Sequence, residues 1–584
     1  MNEVWNLERM YSGFDDPKYL ADFATFEKKI GEFISFTENL EGMDALEGLR
    51  TGIRLQEEME HIGDTLISYP SLRSATNTKD TDASSQSGRI MGIYSNMAGA
   101  STVFRKWACS LPNLLELVEG DDFLKDYHFF FKGMQEMQKY ALSPEASQVS
   151  AKMRMSGGRA WSQLQSYLTS TVPVSFRGTT TNLSAIRNMA YDEDPQVRKD
   201  AYEAELACYE AIKEPVAHAL NAIKLETIST CKLSGYESPL AMTLKHSDME
   251  KATLDAMLGA MDEYLPKFWQ YLKAKAKALG HKNGLPWYDL FAPLGAASTS
   301  FTTEQAKDFL LEQFSTFDAE LTEMVRKAFD EAWIDFYPRD GKRGGAFCSS
   351  IHAIGESRIL TNFDGMFGDV VTLAHELGHA FHNLCIHDHR PLNRDYSMPV
   401  AETASTFNEC VVMNAAIKAS NDKNEKIALI ESQLQDATQI ICDIYSRFRF
   451  EDAVFANRES KFMNADALCQ MMLEAQKKSY GDGLDHECLH PYMWVCKSHY
   501  YGPTYYNFPY AFGGLFARGL YAQYEKEGAA FVPKYKKLLH TTSVATAEDT
   551  AKVADIDLTD KAFWRAALQT IADKIDELCA LLEE

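Results

Sequence analysis

The amino-acid sequence predicts a mainly α-helical protein with one small β-sheet near its middle. Three observations predict it. Long stretches repeat apolar residues every three or four positions, the period of a helix with one buried face. Strand-like runs are few, short and gathered between residues 341 and 363. The chain has 584 residues, 45% apolar and 12% aromatic. That supplies a large interior but exceeds one core of ordinary size, so several lobes or one large helical assembly is expected.

The helical period runs through "YLADFATFEKKIGEFISFTENL" (19–40), "VRKDAYEAELACYEAIKEPVAHALNAIKLETI" (197–228) and "ATLDAMLGAMDEYLPKFWQYLKAKAKALG" (252–280). Polar breaks at 74–88, 177–182 and 292–304 read as loops or lobe boundaries. Asp194 before Pro195 reads as a helix start, because an Asp cap and a proline in the first turn both suit one. "GKRGGAFCSSI" (341–351) and "SRILTNF" (357–363) are rich in strand-formers and bounded by glycine. They are expected to form the small sheet, beside a helix over 369–386.

Charge and cysteine content narrow the function. There are 83 acidic against 59 basic residues, a net charge of −24. That argues against nucleic acid and against anionic membranes as partners, since both need a basic surface. No run of apolar residues is long enough for a membrane span, and the start of the chain lacks the pattern of a signal peptide. The eleven cysteines include no C-x-x-C pair, which fits reduced thiols in the cytoplasm.

The chemistry centres on "TLAHELGHAFHNL" (372–384). At about 100° per residue, His379 falls about 40° from His375, and Glu376 about 100° from it. Val370, Leu373, Ala374, Leu377, Ala380, Phe381 and Leu384 make the helix apolar nearly all round. It should therefore be buried, and two imidazoles and a carboxylate are costly there without a partner. A zinc ion gripped by His375 and His379 supplies one, leaving Glu376 beside the water such an ion would carry. Glu402 and Glu409 lie seven apart in "SMPVAETASTFNECVV" (397–412), on one face of a helix. Glu402 is expected as the third ligand and Glu409 as a carboxylate orienting a ligand histidine. Three ligands plus an uncommitted glutamate point to catalysis, with Glu376 as general base. His382 fits a packing role better than a ligand role. About one hundred residues on, "KSHYYGPTYYNFPYAFGGLF" (497–516) packs His499 and five tyrosines into twelve residues around Gly502, Pro503 and Pro509. Such donors on a loop suit an oxyanion.

These segments resemble the oligoendopeptidase F and thimet oligopeptidase family of zinc metallopeptidases. The resemblance rests on "YPRDGKRGGAFC", "SRILTNFDG", "TLAHELGHAFH", "AETASTFNE", "RFRFEDAVFANR" and "HYYGPTYYNFPYAFGGLF", and upstream on "SGGRAWSQL", "DEDPQVRKDAYEA" and "GYESPL". It runs from about residue 140 to near the end, and the upstream segments resemble the bacterial oligoendopeptidase branch. It implies a two-lobed helical metallopeptidase with a deep central channel, in which residues 1–180 cover the channel and 181–584 carry catalysis. Short peptides would enter and folded proteins would not. It implies one zinc ion, with His375, His379 and Glu402 as ligands, and Tyr510 as the oxyanion tyrosine. His499 matches the substrate-loop histidine, and Tyr505 and Tyr506 fall on the same loop. Gly344 and Gly345 would let a peptide approach closely, and the strand near 357–363 would pair with its backbone. The expected activity is zinc-dependent cleavage of internal bonds in oligopeptides. Two rival readings are a zinc exopeptidase, which needs a group to capture a substrate terminus, and a peptide-binding protein with structural zinc.

Overall fold

The structure is a computed structural model that describes residues 2–295 and 300–583. Residues 296–299, part of the expected break at 292–304, lie outside the described residues. The fold is mainly helical, with a two-stranded hairpin and a three-stranded sheet.

The chain begins with antiparallel helices Pro17–Thr37 and Ala45–Thr76. Asp16 starts the first by accepting from the Lys18 N–H, with Pro17 in the opening turn. Their core is aromatic: Tyr11, Phe14, Tyr19 and Tyr69 meet edge to face. It extends to Phe131 and takes in Ile351 and Leu360 from the sheet, so the early helices seat directly on the strands.

The break expected over 74–88 is much shorter. The helix continues to Thr76, and another runs from Thr81 to Ser95. Asp80 caps it by accepting from the Ala83 N–H at 2.9 Å. Its polar composition hid it, because only Ala83 and Ile90 are buried. The break at 177–182 contains a hairpin: β1 (Val174–Phe176) pairs with β2 (Thr179–Thr181). Arg177 and Gly178 both take positive φ (46° and 82°), the turn that matches strand twist. Asp194 caps helix Pro195–Tyr209 as expected, accepting from the Gln196 N–H.

The expected small sheet lies against the histidine helix. β3 (Ile334–Asp335), β4 (Phe347–Ile351) and β5 (Glu356–Leu360) stand in the order β3-β5-β4. β5 is central, parallel to β3 and antiparallel to β4, with Phe347 opposite Leu360. This corrects the expectation that β5 pairs with substrate: both its edges are taken and all five residues are buried. The open edge belongs to β4, four of whose five residues are half-buried.

The largest core joins helix Lys251–Ala278, the C-terminal helix Lys561–Glu583 and the helices beneath the sheet. Among the described residues, no helix is long and apolar enough to cross a membrane.

Candidate metal centre and active site

The histidine helix spans Phe367–Cys385. The Asp369 carboxylate secures its start by accepting from the backbone N–H groups of Asp364 and Met366. Leu373, Ala374, Leu377 and Phe381 are fully buried, as the pattern requires. Gly378 lies where this helix crosses the next one. A Cβ there would stand 2.5 Å from the Ala404 carbonyl oxygen and the Ser405 Cα, so only glycine permits the crossing. His382 is fully buried, stacks on Tyr396 and bonds Thr542 through Nε2 at 2.7 Å, a packing role.

Glu402 and Glu409 do not share one unbroken helix. A short turn, Met398–Ala401, ends at Glu402, and helix Thr403–Ala419 begins there. The break has a use. At the helix start, the Glu402 carboxylate accepts from the Ser405 hydroxyl at 2.8 Å, which aims its other lone pairs at the histidines. Glu402 Oε2 stands 3.3 Å from His375 Nε2 and 3.3 Å from His379 Nε2, and the two nitrogens are 3.2 Å apart. Among the described residues this is the one group suited to hold a metal ion. Donors about 2.0–2.1 Å from one ion at tetrahedral angles stand about 3.3–3.4 Å apart, so the triangle has the right size for zinc.

Glu409 Oε1 accepts from His375 Nδ1–H at 2.6 Å, which turns the Nε2 lone pair inward. Burial disfavours a charged His375, but the Glu409 hydrogen bond and the nearby carboxylates outweigh it and raise the pKa to about 9. Burial likewise opposes charge on Glu402, yet His379, His375 and Ser405 hold its carboxyl down to about 2. Glu376 is 6% exposed, and among the described residues its carboxylate accepts no hydrogen bond. Burial raises its pKa, against the pull of the two histidines. Three carboxylates thus face two imidazoles, an imbalance that a divalent cation corrects.

The tyrosine-rich segment lies across from this group. His499 sits in the turn Ser498–Tyr501, with Nδ1 3.3 Å from an Arg447 Nη1. A guanidinium only donates, so Nδ1 accepts and the ring proton is on Nε2. Burial and the Arg447 and Lys497 charges lower the His499 pKa, which keeps the ring neutral. Tyr510 lies in the first turn of helix Phe508–Glu527, and Asn507 caps that helix. One turn on, Gly513 packs against the Glu402 side chain. The rings of His499, Tyr506 and Tyr510 cluster with centroids 5.4–5.7 Å apart. Burial and the Tyr506 hydrogen bond raise the Tyr510 pKa well above its ordinary value, so the phenol stays a donor.

Tyr505 differs from Tyr506. Its ring is 2% exposed between Phe448 and Phe455, and its hydroxyl donates to Asp452 at 2.9 Å. Its ring and hydroxyl are thus committed to holding the loop. Glu451 fastens the same loop, accepting from the Tyr505 N–H, Asn507 Nδ2 and the buried Lys224 Nζ. Sequence reasoning missed Glu451, Lys224 and Arg447. Glu451 and Arg447 lie within "RFRFEDAVFANR", where charges on an otherwise apolar helix were the available signal. Gly344 and Gly345 are exposed with open space around them. Gly345 takes φ +79°, and its carbonyl accepts from Asn362 Nδ2 ahead of β4.

A cavity of about 1430 Å³ borders the loop, lined by Arg105, Tyr140, Arg154, Thr504 and Tyr506 among others. A second, of about 320 Å³, reaches His375 and Glu409 and is lined also by Asp436 and Arg518. The three candidate ligands are partly exposed, and His375 among them lines the second cavity.

The sequence matches peptidase family M3 over residues 188–570. The chain belongs to peptidase family M3. Residues 111–172 also match the Oligopeptidase F family. This M3 chain is a metallo-oligopeptidase. It is 24% identical to Oligopeptidase PepF of Bacillus subtilis, across 99% of this chain and 87% of that one. It is 23% identical to an oligoendopeptidase F homolog of Borreliella burgdorferi, across 99% and 98%. Its fold is similar to that of a Chlamydophila abortus protein, with TM-score 0.85 and 19% identity over 99% of this chain and 98% of the other. It is also similar to oligoendopeptidase-F from Enterococcus faecium, with TM-score 0.71 and 17% identity over 96% and 99%.

Proposed function

We propose that this M3 peptidase is a zinc-dependent endopeptidase that hydrolyses internal bonds of short oligopeptides, with Glu376 as general base. The observation that carries the reading is the triangle of His375 Nε2, His379 Nε2 and Glu402 Oε2, with sides of 3.2–3.3 Å, one residue from the buried Glu376. These three side chains would hold the ion. When bound, it supplies Lewis acidity, lowering the pKa of water and polarising a peptide carbonyl.

The chain's own groups perform the rest. Burial raises the proton affinity of Glu376, so it takes a proton from the attacking water and passes it to the leaving amine. The His499 Nε2–H and the Tyr510 hydroxyl donate to the oxygen that gains charge as the carbonyl is attacked. Tyr506 orients Tyr510 and faces the larger cavity, where the peptide lies. The β4 edge, approached through Gly344 and Gly345, offers backbone groups to an extended peptide. Residues 1–180 cover the channel, and 181–584 carry the catalytic groups. Relatives named oligopeptidases and oligoendopeptidases support peptides as the substrate class.

The test pairs metal analysis with cleavage of a quenched-fluorescence peptide. Glu376→Gln is expected to retain one zinc per chain and to lose about 10²–10⁴-fold in kcat. Glu402→Ala is expected to lose zinc and activity together. Full activity in Glu376→Gln rules out the base, and unchanged zinc in Glu402→Ala rules out the ligand.

A further inference from the structure

We infer that the large cavity beside Tyr506 is a subsite for a carboxylate of the peptide lying away from the cleaved bond, received by Arg105, Lys106, Arg154 and Arg159. The inference rests on the peptidase reading and adds to it what the site recognises. All four cations line the cavity of about 1430 Å³, and among the described residues that line it Glu226 is the one carboxylate. Glu226 is already committed: it accepts from the Gly158 N–H at 2.6 Å and stands 3.4 Å from Arg154 Nε. Arg159 Nη1 meets the Met155 sulfur at 3.6 Å. Among the described residues, neither Arg159, Arg105 nor Lys106 forms an ion pair with a carboxylate, and Lys106 acts on Glu145 only at longer range. Positive charge is therefore left over around one cavity, in a chain whose net charge is −24.

The helices set the cations in place. Thr102, Arg105 and Lys106 share one face of helix Met97–Ser110, and Ser147, Ala151 and Arg154 share one face of helix Pro144–Ser156; both faces line the cavity. Arg159 follows in the first turn of helix Gly158–Thr171. Helix Pro144–Ser156 buries none of its residues, so its charged face is open to a ligand. The same cavity reaches the surroundings of the reacting groups. It is lined also by Tyr506, by Pro509 next to Tyr510, and by Met398, which opens the short turn that ends at Glu402. A peptide whose reacting carbonyl lies by Tyr510 therefore carries its more distant residues past Tyr506 toward the cations. A guanidinium suits a carboxylate because two N–H donors meet both oxygens. A cleft lined by one sign of charge also concentrates its field and draws in the opposite charge. A carboxylate bound here is remote from the cut, so the cleaved bond stays internal. An acidic side chain and a free C-terminus both offer that group.

The experiment measures Kd, KM and kcat for one peptide in three forms: blocked at both ends and neutral, blocked but with one glutamine replaced by glutamate at successive positions, and neutral with a free C-terminal acid. Wild-type protein is compared with the double variants Arg105→Gln/Arg159→Gln and Arg105→Lys/Arg159→Lys, each checked for an unchanged melting temperature. In wild type, a carboxylate at a favoured position away from the cut is expected to tighten Kd and lower KM about tenfold with little change in kcat, a change of about 1.4 kcal/mol in binding. About 1 M salt is expected to erase most of that preference, because it screens charges beyond about 3 Å. The glutamine variant is expected to lose the preference and the lysine variant to keep it. A preference for glutamate makes the bound carboxylate a side chain, and a preference for the free acid makes it the C-terminus; either supports the subsite. Equal binding of all three forms by wild type overturns it, as does a preference that survives in the glutamine variant or a loss there that is equal for neutral and acidic peptides. Preference in Kd without any cleavage leaves the subsite standing and removes the peptidase reading; cleavage without preference does the reverse.

Discussion

Single protons and lone pairs decide most of what this site does. Glu409 holds the Nδ1 proton of His375, so the other nitrogen faces the metal position ready to donate. Loss of that hydrogen bond frees the ring to rotate and change tautomer. Glu409→Ala is expected to weaken zinc binding by about 10–100-fold, measured by competition with a chromogenic chelator. Unchanged affinity makes Glu409 a packing carboxylate. Tyr510 keeps its proton because it is buried and bonded to Tyr506, and the proposed function gives it the oxygen that gains charge as its partner. Tyr510→Phe is expected to lower kcat by about 10²–10³-fold while KM moves little. A change confined to KM assigns Tyr510 to substrate binding instead.

Two helices must meet closely for these side chains to converge. The histidine helix and helix Thr403–Ala419 cross at Gly378, whose missing side chain lets the backbone at Ala404 and Ser405 approach. That contact sets the distance between the histidines and Glu402. Gly378→Ala puts a methyl group against backbone, which cannot turn aside as a side chain can. It is expected to cost about 1–3 kcal/mol of stability and to weaken zinc binding, read from urea unfolding and chelator competition on the same protein. Normal stability together with normal zinc affinity shows that the crossing has room to spare. On the facing side, the loop carrying His499 and Tyr506 is held by the buried ring of Tyr505 and by Glu451. That is why a segment with Gly502 and Pro503 keeps a defined geometry.

At the scale of the molecule, early helices pack on the sheet and residues 99–162 line one wall of the large cavity. The cavity, of about 1430 Å³, borders the loop that carries Tyr505 and Tyr506. A folded protein cannot thread its backbone there. A small stable protein is expected to survive incubation while its unfolded tryptic fragments are cut, as read by mass spectrometry. Cleavage of the folded form shows that the channel opens more widely than this structure does.

Local pattern was enough for some of this and useless for the rest. The spacing of His375, Glu376 and His379, their apolar helix and the strands before it were legible because helical period and strand composition act over a few residues. The Thr81–Ser95 helix was not legible, since its polar composition reads as loop and only tertiary contact buries Ala83 and Ile90. Nor was the end of β5's availability, because whether a strand is central depends on which partners fold onto it. The convergence of Glu402 with the histidines and the anchoring of Tyr505 each join segments far apart in the chain. Such meetings are settled by packing and by the cost of burying charge, and these are properties of the assembled interior rather than of any stretch of sequence.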